Sequence, residues 1–283
     1  MTTLIDGKAI SSQIKAEVAL EVQALAKQGI TPGLTVVIVG EDPASQTYVS
    51  SKEKSSKALG MNSNVIRFPA DASEDEVLYC IDELNKDNTV HGILVQLPLP
   101  KQINENKVII AIDPKKDVDG FHPMNVGYLV SGNAEAFVPC TPAGVMVLLE
   151  REKVTIEGKH VVIVGRSHMV GKPLISLFLQ KNATVTVCHS RTQNLTSVTQ
   201  LADILVVAIG KDRFIKAEHV KEGAVVIDVG INRVDGKLYG DVDFDAVAPL
   251  ASKITPVPGG VGPMTIALLL KNTIKAAKLA NGI

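Results

Sequence analysis

Apolar residues recur at two spacings along this chain. Between residues 8 and 28 they fall at Ile10, Ile14, Val18, Val22 and Leu25, which predicts an amphipathic helix stopped by Gly29. The next run, residues 34–39, is apolar but for Thr35 and ends at Gly40, as expected of a short buried strand. The alternation then repeats. Pro43 opens a helix ending near Gly60, residues 65–68 read as a strand, Ser73 caps a helix through Asn85, and residues 91–97 read as a third buried strand. Helices alternating with strand-length apolar runs imply a mostly parallel sheet.

Residues 113–130 break the pattern with Asp, Gly, Pro and Asn, and residues 137–142 form another loop. Thr141-Pro142 reads as an N-cap followed by proline at the first helical position, with residues 145–150 helical behind it. New strands follow at 160–164, 184–188, 204–209 and 225–229. Thr265 stands where the N-cap of a last helix is expected. The fold class expected is α/β, with two α/β domains, the C-terminal one Rossmann-like, and a cleft between them. The division falls near residue 139, giving domains 1–138 and 139–264, with residues 265–283 returning to complete the first.

Composition narrows the function. The chain has 283 residues, 46% hydrophobic and 21% charged, ample for real cores. A net charge of −1 gives no electrostatic support for nucleic acid or a membrane surface, and no tryptophan is present to stack on bases. Cys80, Cys140 and Cys188 are odd in number and far apart, with neither disulfide nor metal-ligand spacing, so a reducing, cytoplasmic setting and no metal are expected. The N-terminus lacks the basic and apolar regions of a signal peptide, and the apolar runs are too short to span a bilayer.

Three stretches carry candidate chemistry. The first is residues 256–265, Pro-Val-Pro-Gly-Gly-Val-Gly-Pro-Met-Thr, a stiff loop whose glycines let backbone approach a ligand closely; a tight domain-crossing turn is the plainer reading. The second is Gly165-x-Ser167-x-x-x-Gly171 between the strands at 160–164 and 184–188. This is the βαβ setting of a dinucleotide site, with altered spacing and Ser167 in place of the second glycine. No acid follows the second strand to hold a ribose 2′-hydroxyl. Ser190 and Arg191 stand there instead, with Arg166 in the glycine turn, which favours a 2′-phosphate and hence NADP over NAD. A simple strand-to-helix turn, with Arg191 solvated, is the alternative.

The third is dispersed. Tyr48 and Lys52 share one face of a helix, Gln96 ends a strand at its carboxyl edge, and Asp119 lies in the turn Asp117-Val118-Asp119-Gly120. Each has an ordinary explanation: Lys52 as one of several solvated lysines beside Lys54 and Lys57, Tyr48 as partial core, Gln96 as a strand end, and either aspartate as an Asx turn. Spacing alone leaves these open.

Together the segments Tyr48–Lys54, Gly92–Pro100, Asp113–Phe121 and Val164–Pro173, with the 256–265 loop, make the chain resemble the bifunctional methylenetetrahydrofolate dehydrogenase/cyclohydrolase family over nearly its whole length. The resemblance implies NADP-dependent oxidation of 5,10-methylenetetrahydrofolate, then hydrolysis of the methenyl product to 10-formyltetrahydrofolate. It makes domain 1–138 the folate-binding one and 139–264 the NADP-binding one. It implies that Lys52 is the catalytic lysine, that Gln96 hydrogen-bonds it, that Tyr48 packs on the folate, and that Asp119 holds the pterin. Leu97 and the backbone of Pro258, Gly259 and Gly260 would border the substrate. Gly165, Arg166, Ser167, Gly171, Ser190, Arg191 and Ile231 would bind the cofactor. A homodimer acting on tetrahydrofolate one-carbon derivatives is expected. Three readings compete: a dehydrogenase with weak or no hydrolase activity, an NADP sensor or binding subunit without turnover, and an NADP-dependent dehydrogenase for another small substrate, which leaves residues 113–130 and the 256–265 loop unexplained.

The chemistry suits these residues. Hydride loss from a carbon between two nitrogens gives a delocalised cation directly, so only alignment is required. Hydrolysis of that cation needs a proton carrier, and a lysine whose pKa is lowered by burial suits the task.

Overall fold

The alternating pattern produces alternating elements in the computed structural model, which describes residues 2–283. β1 (Thr3–Leu4) precedes α1 (Gly7–Ala26), whose Ile10, Ile14, Val18, Val22 and Leu25 are all buried. β2 (Gly33–Val39) is buried at every position. α2 (Pro43–Ala58) has Pro43 at its start and Asp42 as its cap, the carboxylate accepting from the Ser45 N–H at 2.8 Å. β3 (Asn62–Phe68) follows, then α3 (Glu74–Lys86), opened by a reciprocal Ser73–Glu76 capping box. β4 (Gly92–Val95) ends just before Gln96. α4 (Glu105–Ala111), capped by Asn104, follows, and the Asp- and Pro-rich stretch 113–130 contains more helix than its composition implies, in α5 (Pro123–Ser131).

α6 (Cys140–Arg151) leads to β5 (His160–Val164), α7 (Gly171–Gln180), β6 (Thr184–Cys188), α8 (Leu195–Thr199), β7 (Ile204–Val207) and β8 (Val225–Asp228). A hairpin of β9 (Asn232–Val234) and β10 (Lys237–Tyr239) precedes α9 (Phe244–Val247), β11 (Lys253–Ile254) and α10 (Val261–Ala280). No described helix is long and apolar enough to cross a membrane.

The chain divides into two compact units. One comprises Gln13–Tyr128, Asn133–Val138 and Ile266–Ile283. Its sheet is parallel, in the order β3-β2-β4, over a core that includes Val37, Val77, Ile81 and Ile93. The end of α10 is fastened within this unit: the Asn272 side-chain amide donates to the Val118 and Val138 carbonyls, and the Lys278 ammonium pairs with Glu21.

The other unit comprises the N-terminal residues through Ser12, Leu129–Gly132 and Pro139–Thr265. Its six-stranded parallel sheet runs β1-β11-β8-β7-β5-β6. From β5 the chain moves one way to β6 and then back past it to β7, so the C-terminal ends of β5 and β7 form a topological switch point, where open α/β sheets bind ligands. The N-terminal residues group here rather than with 13–128 because β1 pairs with β11, Thr3 opposite Lys253 and Leu4 opposite Ile254.

Two helix starts differ from expectation. α6 begins at Cys140, so Thr141 is inside it and not its cap. α10 begins at Val261, so Thr265 also lies within a helix, and Pro263 is accommodated in a first turn whose N–H groups need no intrahelical partner. The two hydroxyls meet each other instead, Thr141 Oγ1 lying 2.9 Å from Thr265 Oγ1. Strands expected at 91–97, 204–209 and 225–229 stop at Val95, Val207 and Asp228, and the trailing residues form loops at the sheets' C-terminal edges.

Candidate active site

α2 lies against the sheet of its unit and carries three lysines with different environments. Lys54 is exposed, and Lys57 is exposed and paired with Glu53 at 2.7 Å. Lys52, only 4% exposed, points inward. Its Nζ donates to Gln96 Oε1 at 3.0 Å and sits 4.4 Å from the centre of the Tyr48 ring, one helical turn earlier. Gln96 is fixed at both ends: its backbone N–H donates to the Val37 carbonyl and its side-chain Nε2 to the Leu97 carbonyl at 2.7 Å. The structure therefore brings Tyr48, Lys52, Gln96 and Leu97 together, with a neutral acceptor facing the lysine.

The two aspartates of the 117–120 turn have different surroundings. Asp117 is buried and accepts from the N–H groups of Gly120, Phe121 and His122 and from the Asn125 side chain. Burial pushes its carboxyl above the usual range despite those donors. Asp117 is thus the staple of the turn. Asp119 is half-buried. The turn is held beside β4, where Ile93 donates its N–H to the Lys116 carbonyl at 2.8 Å.

In the other unit, Gly165 follows β5 at φ 127°, and a Cβ there would lie 2.2 Å from the Ala208 carbonyl oxygen. Gly171 opens α7, and a Cβ there would lie 2.2 Å from the Gly165 carbonyl oxygen. Glycine is thus required at both positions for the strand-to-helix turn to close. Between them, Ser167 Oγ accepts from the Val170 N–H. Gly165, Arg166, Ser167 and Ser190 line a single cavity of about 330 Å³ at the switch point. Arg191 is exposed beside it and outside its lining.

Ile231 lies elsewhere in the same unit. It shares a smaller cavity of about 130 Å³ with Pro258, Gly259 and Gly260, so the residues expected to meet substrate and one expected to meet cofactor adjoin. Gly259 has φ 108°, and a Cβ on Gly260 would approach the Pro256 carbonyl oxygen to 2.6 Å. The Val257–Pro258 and Leu97–Pro98 bonds are cis.

This geometry has counterparts. A family model of the tetrahydrofolate dehydrogenase/cyclohydrolase catalytic domain matches residues 5–119, and a model of the family's NAD(P)-binding domain matches residues 139–281. The chain belongs to the tetrahydrofolate dehydrogenase/cyclohydrolase family. It is 61% identical over 275 residues to the bifunctional protein FolD of Halalkalibacterium halodurans, covering 97% of this chain and 98% of that protein. Among solved structures, the bifunctional enzyme FolD of Campylobacter jejuni is 50% identical with TM-score 0.98, covering all of both chains. The Trypanosoma brucei FolD, solved with NADP and an inhibitor, is 39% identical with TM-score 0.95, covering 100% of this chain and 99% of that one.

The residues of the family's NAD(P)-binding region fit a dinucleotide. The turn at Gly165 and Gly171 excludes side chains, α7 presents its N-terminus behind it, and the cavity alongside carries a guanidinium and hydroxyls. His189, Lys211 and Phe214 also line that cavity and were not among the expected site residues. Lys211 and Phe214 follow the third strand of the βαβ series, β7, and Lys211 Nζ lies 5.3 Å from the Phe214 ring centre. The signal available for them is position alone, just past a strand's carboxyl end at a switch point.

Proposed function

We propose that this protein is a bifunctional one-carbon folate enzyme, oxidising 5,10-methylenetetrahydrofolate with NADP and hydrolysing the resulting methenyl cation to 10-formyltetrahydrofolate. The observation that carries the reading is the buried Lys52 ammonium held at 3.0 Å by the neutral Gln96 carbonyl oxygen. A lysine serving solubility alone would project into water, as Lys54 and Lys57 do.

NADP, when bound, supplies the hydride acceptor. The methylene carbon lies between N5 and N10, whose lone pairs stabilise the cation left behind, so this step demands no base from the protein. The folate is oriented by Asp119, whose two oxygens suit parallel N–H donors of the pterin, and by the Tyr48 ring packed on it. Gly165, Arg166, Ser167, Gly171, Ser190, Arg191 and Ile231 hold the cofactor. NADP is favoured over NAD because Arg166 and Ser190 share one cavity and no carboxylate follows β6 in Cys188-His189-Ser190-Arg191.

Hydrolysis begins as water adds to the methenyl carbon and loses a proton. The N5–carbon bond then breaks, N5 takes up a proton, and the formyl group stays on N10. Lys52 Nζ carries the proton. Gln96 orients that nitrogen without the countercharge by which a carboxylate would hold it as ammonium, so both of its protonation states serve the cycle. The Pro258–Gly260 backbone borders the substrate.

We also infer a homodimer through the NADP-binding unit, where β6 is an edge strand of the sheet; light scattering at micromolar concentration tests it. The function is tested by incubating the protein with 5,10-methylenetetrahydrofolate and NADP, or NAD in parallel, and quantifying both folate products. Methenyl product decaying only at the uncatalysed rate would leave a dehydrogenase alone. No product with either cofactor would reject the reading.

A further inference from the structure

Asp241 is fully buried and has no part in the chemistry above. Its Oδ2 accepts from the N–H groups of Ile209 at 2.6 Å and Gly210 at 2.9 Å. Its Oδ1 accepts from the Lys211 N–H at 2.8 Å and from the Asn232 side-chain amide at 2.9 Å. Three consecutive backbone N–H groups converging on one point form a cradle of the kind that binds anions. Here the anion belongs to the chain itself. The positive φ of Gly210, 64°, allows the turn. Gly230 is also bound into the arrangement, because a Cβ there would lie 2.2 Å from the Asp241 carboxylate.

The two segments gathered by this carboxylate wall two cavities of the NADP-binding unit. Ile209 and Lys211 line the larger cavity with Arg166 and Ser190. Asn232 directly follows Gly230 and Ile231, which line the smaller cavity with Pro258, Gly259 and Gly260. Asp228 continues the link, its Oδ1 accepting from the N–H groups of both Asp241 and Gly230. A carboxylate suits the position because it only accepts; an amide would turn N–H groups of its own toward N–H donors.

We propose that Asp241 is a positioning residue for the nicotinamide cofactor, setting the spacing of segments 209–211 and 230–232 and so the shape of the cavity that Ile209 and Lys211 share with Arg166 and Ser190. It acts through the backbone of Ile209, Gly210 and Lys211 and through Asn232. The inference rests on the dinucleotide reading of this unit.

Asp241→Asn keeps the side chain's size and replaces an acceptor with a donor. Two quantities are measured on one preparation: the KM for NADP in oxidation, and the rate of hydrolysis of supplied methenyltetrahydrofolate, which consumes no NADP. The NADP KM is expected to rise about tenfold or more, with hydrolysis within about twofold of wild type. A merely structural role would lower both activities together at an unchanged NADP KM, and that result overturns the proposal. Should Asp241→Asn fail to fold, Asn232→Ala removes one of the four contacts; its NADP KM is expected to rise about threefold, and an unchanged value overturns the proposal. Calorimetric titration of wild type with NADP keeps the two ideas apart. No binding by wild type defeats the dinucleotide reading and the Asp241 role with it, whereas equal binding by wild type and Asp241→Asn defeats the Asp241 role alone.

Discussion

Lys52 Nζ and Gln96 Oε1 lie 3.0 Å apart, and the opposite end of the same amide donates to the Leu97 carbonyl. The second bond leaves only the oxygen of Gln96 free to face the lysine. A charged partner at this position would alter the chemistry while preserving the contact. Gln96→Glu is therefore expected to hold Lys52 as ammonium and slow hydrolysis about 100-fold, with a smaller effect on oxidation. Separate initial rates for the two steps check this, and equal losses in both would count against it.

The two aspartates of the 117–120 turn are expected to fail differently. Asp119→Ala raises the KM for folate in both steps and leaves the melting temperature close to wild type. Asp117→Ala strands the N–H donors of Gly120, Phe121, His122 and Asn125, at a cost of about 3 kcal/mol or more. Thermal melts set beside folate KM values distinguish them; an unchanged KM in Asp119→Ala would remove that residue from the pterin site.

Asp228 is expected to make stability depend on pH. Burial pushes its carboxyl up to about 7 despite backbone donors from Gly230, Asp241 and Val242, and the neighbouring Asp241 charge acts in the same direction. The folded state thus holds a proton that the unfolded chain releases near pH 4. The contribution is fully present below the unfolded value and is lost as pH rises toward 7, amounting to at most about 4 kcal/mol. Urea unfolding between pH 5 and pH 8 should show wild type losing stability relative to Asp228→Asn as pH rises. A constant difference would mean that Asp228 is ionised throughout.

A substitution in the glycine turn is expected to separate the two activities. Gly171→Ala places a Cβ against the Gly165 carbonyl oxygen, a clash with backbone that no rotamer relieves. NADP binding and oxidation are expected to fall below detection, while supplied methenyltetrahydrofolate is still hydrolysed. NADP binding at wild-type affinity would show that the turn does not form the cofactor site.

How much of this was legible beforehand depends on where the determinants lie. β5 and β6 have the bounds expected, because the apolar run of β5 and the β-branched Thr-Val-Thr-Val of β6, each set between polar turns, carry their own limits. Thr141 and Thr265 were misplaced as caps because their hydroxyls meet across 124 residues of sequence, a contact that local pattern does not encode. β1 and β11 are two residues each, too short for any period, and exist because they pair with each other and β11 with β8. Spacing placed Tyr48 and Lys52 on one helix face. Lys52 differs from exposed Lys54 and Lys57 because it shares the inward face of α2 with Ser45, Val49 and Ser56, a face with little apolar signal in the sequence, and its partner Gln96 is 44 residues away. Asp241 gave no signal at all, its backbone partners lying 30 to 32 residues earlier in the chain.

The central claim is that Lys52 moves the proton in hydrolysis and is dispensable for hydride removal. The direct test is Lys52→Met, with methenyltetrahydrofolate hydrolysis and NADP-dependent oxidation timed on the same preparation. Hydrolysis at the uncatalysed rate, with oxidation still measurable, is expected. Hydrolysis at the wild-type rate would contradict that claim.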